Sequence, residues 1–185
     1  MDTRFSVFEV LQIAEELEHK AARFYLKTAE RFADRRQRNI YYHLASRCAR
    51  HELAWSRTRR EHSEKTGEFG TFDPDNFVLS NPQVMAGLTC FGTSLSSPNR
   101  LTGAETSEQI VRDAIRRSEG VVIFFRGLKE FAEDPGAEMM IDTMIDDEAR
   151  HIRQLMRLLQ RMRTTAPSPK RSASRDEPVK LPASV

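Results

Sequence analysis

Four stretches of this sequence place apolar residues three and four positions apart over more than five turns each, which commits the chain to long amphipathic helices. The first runs from about Ser6 to Phe32, with Leu11, Ala14, Glu18, Ala21 and Tyr25 on one stripe. The second runs from about Asp34 to Glu64 through Ile40, Leu44, Cys48, His51 and Trp55. The third begins at Thr106 or Ser107, either able to cap it, and carries Val111, Ile115, Glu119 and Val122. The fourth follows the breaker Asp134-Pro135-Gly136 and carries Ile141, Met144, Glu148, His151, Leu155 and Leu158. The predicted fold is all-α: one bundle over 1–163, with a long crossover at about 65–105 between the second and third helices. Within the crossover, Asn81 and Pro82 can open a short helix. Residues 164–185, rich in Pro and Ser and poor in large apolar side chains, read as a disordered, basic tail.

Each stripe contains a residue of the wrong polarity. Glu18, Cys48, His51, Glu119, Glu148 and His151 all fall on apolar faces, and an inward carboxylate needs a cation, a hydrogen-bond network or a metal. Glu18 precedes Cys48 by 30 residues and Glu119 precedes Glu148 by 29, and a histidine follows three residues after each second member. The flanks repeat as well: Glu18-x-x-Ala21-x-x-Phe24-Tyr25 against Glu119-x-x-Val122-x-x-Phe125-Arg126. The chain thus reads as a helix pair used twice. Taken alone, Glu148 and His151 make an ordinary polar pair on a helix surface. Cys48 alone is a small buried hydrophobe as readily as a ligand, and the methionines of the fourth helix read as core.

With these residues in place, the sequence resembles the ferritin-like di-iron carboxylate superfamily, and most closely its rubrerythrin-like branch. Such sites take one Glu from each of two helices and a Glu-x-x-His from each of the other two. Glu18 and Glu119 match the single glutamates, Glu148 and His151 match one Glu-x-x-His, and His51 matches the second histidine. The resemblance implies an antiparallel four-helix bundle, a homodimer, and iron handling peroxide, oxygen or Fe(II) as a non-haem oxidoreductase. It further implies that Asp147 orients a ligand histidine, namely His51 across the bundle, and that Tyr25 lies near the site. No residue is singled out as catalytic.

The departure is at Cys48, where a glutamate is expected, preceded by Arg47 rather than an acid. A thiolate offers one soft sulfur instead of two hard oxygens, so Cys48 as a ligand shifts preference from a di-iron centre toward one metal, zinc or another transition metal. Glu15 and Glu52 lie one turn from the expected positions and are weaker candidates. The alternative is a non-catalytic helical scaffold or partner-binding module with a vestigial site. No CxxC pair is present to relay electrons, so an enzyme of this kind would need an external donor.

Charge and hydropathy narrow the partners. The net charge is +2, from 29 basic and 27 acidic residues, and the surplus sits after Arg163, leaving no broad basic face for nucleic acid. No stretch approaches a membrane span, the first twenty residues lack the apolar core of a secretory signal, and the two cysteines suggest no disulfide framework. The expectation is a cytoplasmic protein with no membrane partner.

Overall fold

The computed structural model describes residues 4–69 and 102–165, and within them the chain is four α-helices with no strand. The expected crossover, its short helix with Cys90, and the basic tail lie outside the described residues. Helix α1 spans Val7–Ala29, α2 Arg35–Thr66, α3 Ser107–Lys129 and α4 Pro135–Thr165. None is long and apolar enough to cross a membrane.

The helix starts are set by local chemistry. Ser6 and Glu9 form a reciprocal capping box on α1, as Thr106 and Gln109 do on α3, so two otherwise orphaned N–H groups are satisfied at each start. Asp34 caps α2 by accepting from the Arg36 and Gln37 N–H groups at 2.6 and 3.1 Å. Asp134 caps α4 by accepting from Ala137 at 2.9 Å. The Asp-Pro-Gly breaker is therefore the first turn of α4 itself: proline is tolerated there because its missing N–H would have had no partner.

Helix α1 packs chiefly on α2, and α3 on α4, with thinner contacts of α1 on α4 and α2 on α3. The α1–α2 contacts descend one helix as they climb the other: Arg59 lies over the Phe8 ring, His19 meets Glu52, and Tyr25 stacks near Tyr41. The core is filled by Tyr41, Phe5, Phe32, Leu11, Ile110 and Ile141, all essentially inaccessible. Each such aliphatic side chain contributes roughly 1.5–3 kcal/mol over an exposed one. Met144 belongs to this core, whereas Met139 and Met156 are exposed, which corrects the reading of the α4 methionines as uniformly core.

Each helix pair is also tied to the segment entering the other. Phe5 bridges the α3–α4 turn, donating to the Phe131 carbonyl and accepting from the Glu133 N–H, both at 2.8 Å. Before α3, Gly103 adopts φ +90 against the Arg31 carbonyl, where an added Cβ would sit 2.9 Å from that oxygen. Only glycine fits such a position.

Candidate metal centre

The two helix pairs repeat at an offset of 100 residues. Ser6 corresponds to Thr106 and Asp34 to Asp134, each pair doing the same capping job. The same offset pairs His51 with His151, Cys48 with Glu148 and Arg47 with Asp147, and it pairs Glu18 with Ser118, not Glu119. The structure agrees: Ser118 is buried and Glu119 is exposed to solvent. This corrects the sequence reading, which placed Glu119 inward. The buried face of α3 runs Val111, Ala114, Ser118, Val121, Phe125, and a residue one position on is turned about 100° away from it.

The other residues do converge. Glu18 of α1, Cys48 of α2, and Glu148 and His151 of α4 are buried, with His51 of α2 half-buried beside them. Among them lies Arg47. One of its guanidinium nitrogens donates to Glu148 Oε2 at 2.9 Å and lies 3.7 Å from Asp147 Oδ2, and the other lies 4.0 Å from Glu18 Oε1. His51 Nδ1 is 3.3 Å from Glu18 Oε1 and 3.1 Å from Asp147 Oδ2, so Asp147 reaches His51 across the bundle. Asp147 also accepts from Arg150 at 2.5 Å. Two neutral donors complete the set: the Cys48 thiol donates to Glu18 and the Ser118 hydroxyl to Glu148. Tyr25 is buried close by, its pKa raised first by burial, with the Arg117 and Glu148 charges also acting on it.

Burial governs the protonation states. It pushes the Cys48 thiol far up, and the neighbouring Glu18 carboxylate adds to this, so Cys48 is a thiol and not a thiolate. Burial also raises Glu148, although Arg47 and Ser118 pull it down. For Arg47, burial opposes the charge, but Glu148 and Glu18 outweigh it and hold the guanidinium above its ordinary value. His151 is depressed to about 3, first by burial and then by the charges of Arg47 and His51, and is neutral at pH 7. Its Nδ1 is buried without a hydrogen-bond partner among the described residues.

The donors do not fit a di-iron centre. Such a centre needs four carboxylates around two cations, and here two of the four positions carry the neutral donors Cys48 and Ser118. A permanent cation already lies against the remaining pair, and a metal ion there would face its repulsion in a medium that screens poorly. Among the described residues no three His, Cys, Asp or Glu side chains stand together as ligands. The weaker candidates are engaged elsewhere: Glu15 with Arg59 at 2.8 Å and Glu52 with His19 at 2.9 Å. Sequence reading noticed Arg47 only as a missing acid and passed over Ser118; aligning the capping residues at the common offset would have exposed both.

A second buried pair, also unread in the sequence, lies on α3, where Asp113 accepts from Arg117 at 2.8 Å and from Arg116 at 3.1 Å. Arg117 in turn covers the Phe24 ring of α1 at 4.2 Å from its centroid. It ties the two helix pairs together rather than forming a site. No protein-family model, curated protein or solved structure matches this chain.

Proposed function

We propose that this chain is an antiparallel, ferritin-like four-helix bundle that serves as a non-catalytic helical scaffold or partner-binding module. The observation that carries the reading is Arg47, whose guanidinium lies between Glu148 at 2.9 Å and Glu18 at 4.0 Å, where a bridging metal would be needed. The repeated capping boxes and the repeated histidines support a ferritin-like ancestry. The replacement of two carboxylates by a thiol and a hydroxyl, both donating to the surviving carboxylates, supports loss of redox chemistry. Metal analysis of the purified protein, with melting curves in Fe(II), Zn(II) and chelator, tests this. The expected result is no bound metal and no shift, since a ligand that binds only the native state must raise its stability. Stoichiometric iron uptake that disappears in Glu148→Ala would instead restore the iron-dependent oxidoreductase.

The face such a module would offer is the C-terminal half of α2. Beyond Cys48 that half buries only Ser63, and Leu53 is 62% exposed. Phe8, Leu53, Arg57, Arg60 and Phe69 line an open groove of about 570 Å³ at this end. A basic rim around apolar side chains suits a protein surface carrying acidic residues. If two copies of the chain pair through this groove, Leu53→Arg converts a dimer to a monomer in sedimentation; a monomeric wild type removes self-association.

A further inference from the structure

The balance of charge along the sequence conceals a separation in space. Gly103 sits against the Arg31 carbonyl, Gln37 donates to the Glu105 carbonyl at 2.7 Å, and Arg163 donates to Glu108 at 3.0 Å. One end of the bundle therefore gathers the end of α1, the starts of α2 and α3, and the end of α4. Between the level of Glu18, Arg47, Ser118 and Glu148 and that end, the described residues carry fifteen basic and five acidic side chains. The opposite half carries eight basic and fifteen acidic ones, so the molecule is an electric dipole along its axis. We infer that the basic half docks on the phosphate backbone of double-stranded DNA, without reading its sequence, through arginines of α2 and α4. This surface lies at the opposite end from the groove beside Leu53, and its charge is independent of what the central cluster holds.

Thirteen of the fifteen cations are arginines, whose planar fork grips phosphate oxygens in pairs. Arg150, Arg153, Arg157 and Arg161 climb one side of α4 at intervals of three and four residues, all exposed, a ladder of about 16 Å. Arg150 is shared with Asp147, whereas Arg35, Arg36, Arg153 and Arg157 are exposed and make no ion pair among the described residues. Duplex DNA presents one negative charge per about 1.7 Å of axis, so a straight row of guanidinium groups meets phosphates along its whole length and releases their counterions. The acidic half is repelled, which fixes the end that approaches. Beyond Thr165 the chain continues from this same end with Lys170, Arg171, Arg175 and Lys180 against Asp176 and Glu177, a further surplus of positive charge. Two other polyanions fit less well. A bilayer holds a helix by burying an apolar face beside its cations, and the other exposed residues within the α4 ladder are Gln154, Met156 and Gln160. Single strands are held by stacking bases on aromatic rings, and Tyr42 is the one large aromatic exposed in this half among the described residues.

The test is fluorescence anisotropy of a short labelled DNA duplex of mixed sequence, titrated with the full chain at low and then rising salt. The expected result is saturable binding that a duplex of scrambled sequence competes for equally, with log affinity falling against log salt at a slope of about −3 or steeper. Arg153→Glu/Arg157→Glu should weaken binding at least about tenfold and flatten that slope by about 2, and Arg35→Glu/Arg36→Glu should act the same way. Lys65→Glu/Arg126→Glu, an equal charge change in the other half, should leave affinity within about twofold. Melting curves check that these exposed substitutions keep the fold, and Arg153→Gln/Arg157→Gln replaces a reversal that does not. The inference is overturned by no binding at low salt, or by reversals in the two halves that act equally. It is also overturned if phosphatidylserine vesicles or a single strand outcompete the duplex at equal phosphate, or if salt-reversible self-association appears in place of DNA binding. None of these outcomes bears on metal content, so the scaffold reading stands or falls separately.

Discussion

The α1–α2 pair and the α3–α4 pair occupy equivalent places in the bundle, and they differ most where they meet. Around the central cluster the first pair places Glu18, Arg47, Cys48 and His51, and the second places Ser118, Asp147, Glu148 and His151. The histidines are shared. Every other position has changed in a complementary sense: carboxylate against hydroxyl, guanidinium against carboxylate, thiol against carboxylate. Two identical halves would present like charges to each other across the core and would need metal ions between them. Two complementary halves satisfy each other, Arg47 reaching Glu148 and Asp147, and Asp147 reaching His51. On the scaffold reading proposed above, the difference between the halves does the work that metal ions would do in a symmetric bundle.

The largest effect should come from deleting the one permanent cation in this exchange. Arg47→Ala leaves Glu148 and Glu18 buried without compensation, and breaking a buried pair from one side costs about 3–5 kcal/mol. Urea denaturation checks this. In the double variant Arg47→Ala/Glu148→Gln most of the loss should be recovered, because the buried charge that Arg47 compensated has gone. If the single substitution costs under about 1 kcal/mol, the halves are not held together electrostatically.

Acid should act next, through His151. Its folded-state value, about 3, lies below the ordinary 6.5, so as pH falls the unfolded chain takes up a proton that the folded chain refuses. Stability from this group is complete above about pH 6.5 and is lost progressively down to about pH 3. Glu148 opposes it: its raised value lets the folded chain bind a proton more readily on acidification, which offsets part of the loss. The loss from His151 taken by itself should be on the order of 5 kcal/mol. His151→Gln should flatten the acid limb of stability measured against pH, and an unchanged limb would assign acid lability to other groups.

How much of this was legible beforehand follows from what each level of structure depends on. The four helices, their caps and the inward positions of Glu18, Cys48, Glu148 and His151 follow from apolar periodicity and short-range chemistry, both written locally. The inward register of α3 was misread by one residue. Chemistry favoured Glu119 as a ligand, whereas packing favoured the small side chain of Ser118, and the periodic stripe near it tolerates either reading over two turns. Arg47 was visible but its contacts were not. Its meaning depends on Glu148, 101 residues away, and no local pattern announces a cation meeting a carboxylate across a bundle.

The neutral donors give a finer comparison of the halves, because each serves one buried carboxylate. Ser118→Ala removes a hydroxyl from Glu148 and should cost roughly 1.5–3 kcal/mol, the range for a hydrogen bond to a charged group. Cys48→Ala removes a weaker S–H donor from Glu18 and should cost less, with Cys48→Ser closer to neutral. Equilibrium unfolding of the three variants ranks them, and a larger loss at Cys48 than at Ser118 would reverse the assignment of which half is more tightly held. In a Cys90→Ser background, the Cys48 thiol should also resist alkylation until the chain unfolds, since burial and Glu18 keep it protonated.

The smallest effect should be at Tyr41, whose counterpart at the common offset is Ile141. Both are fully buried. Tyr41 stacks on Phe32 with ring centroids 5.2 Å apart, so the ring itself is well used. Its hydroxyl has no hydrogen-bond partner among the described residues, and burial raises its pKa, so the group is desolvated without return. Tyr41→Phe keeps the ring and removes the orphaned polar atom. It should be neutral or stabilising by up to about 1 kcal/mol, the sign opposite to nearly every other core substitution. A loss instead of a gain would show that the hydroxyl is satisfied in solution, and that the first pair carries a polar contact at a position where the second, with Ile141, has none.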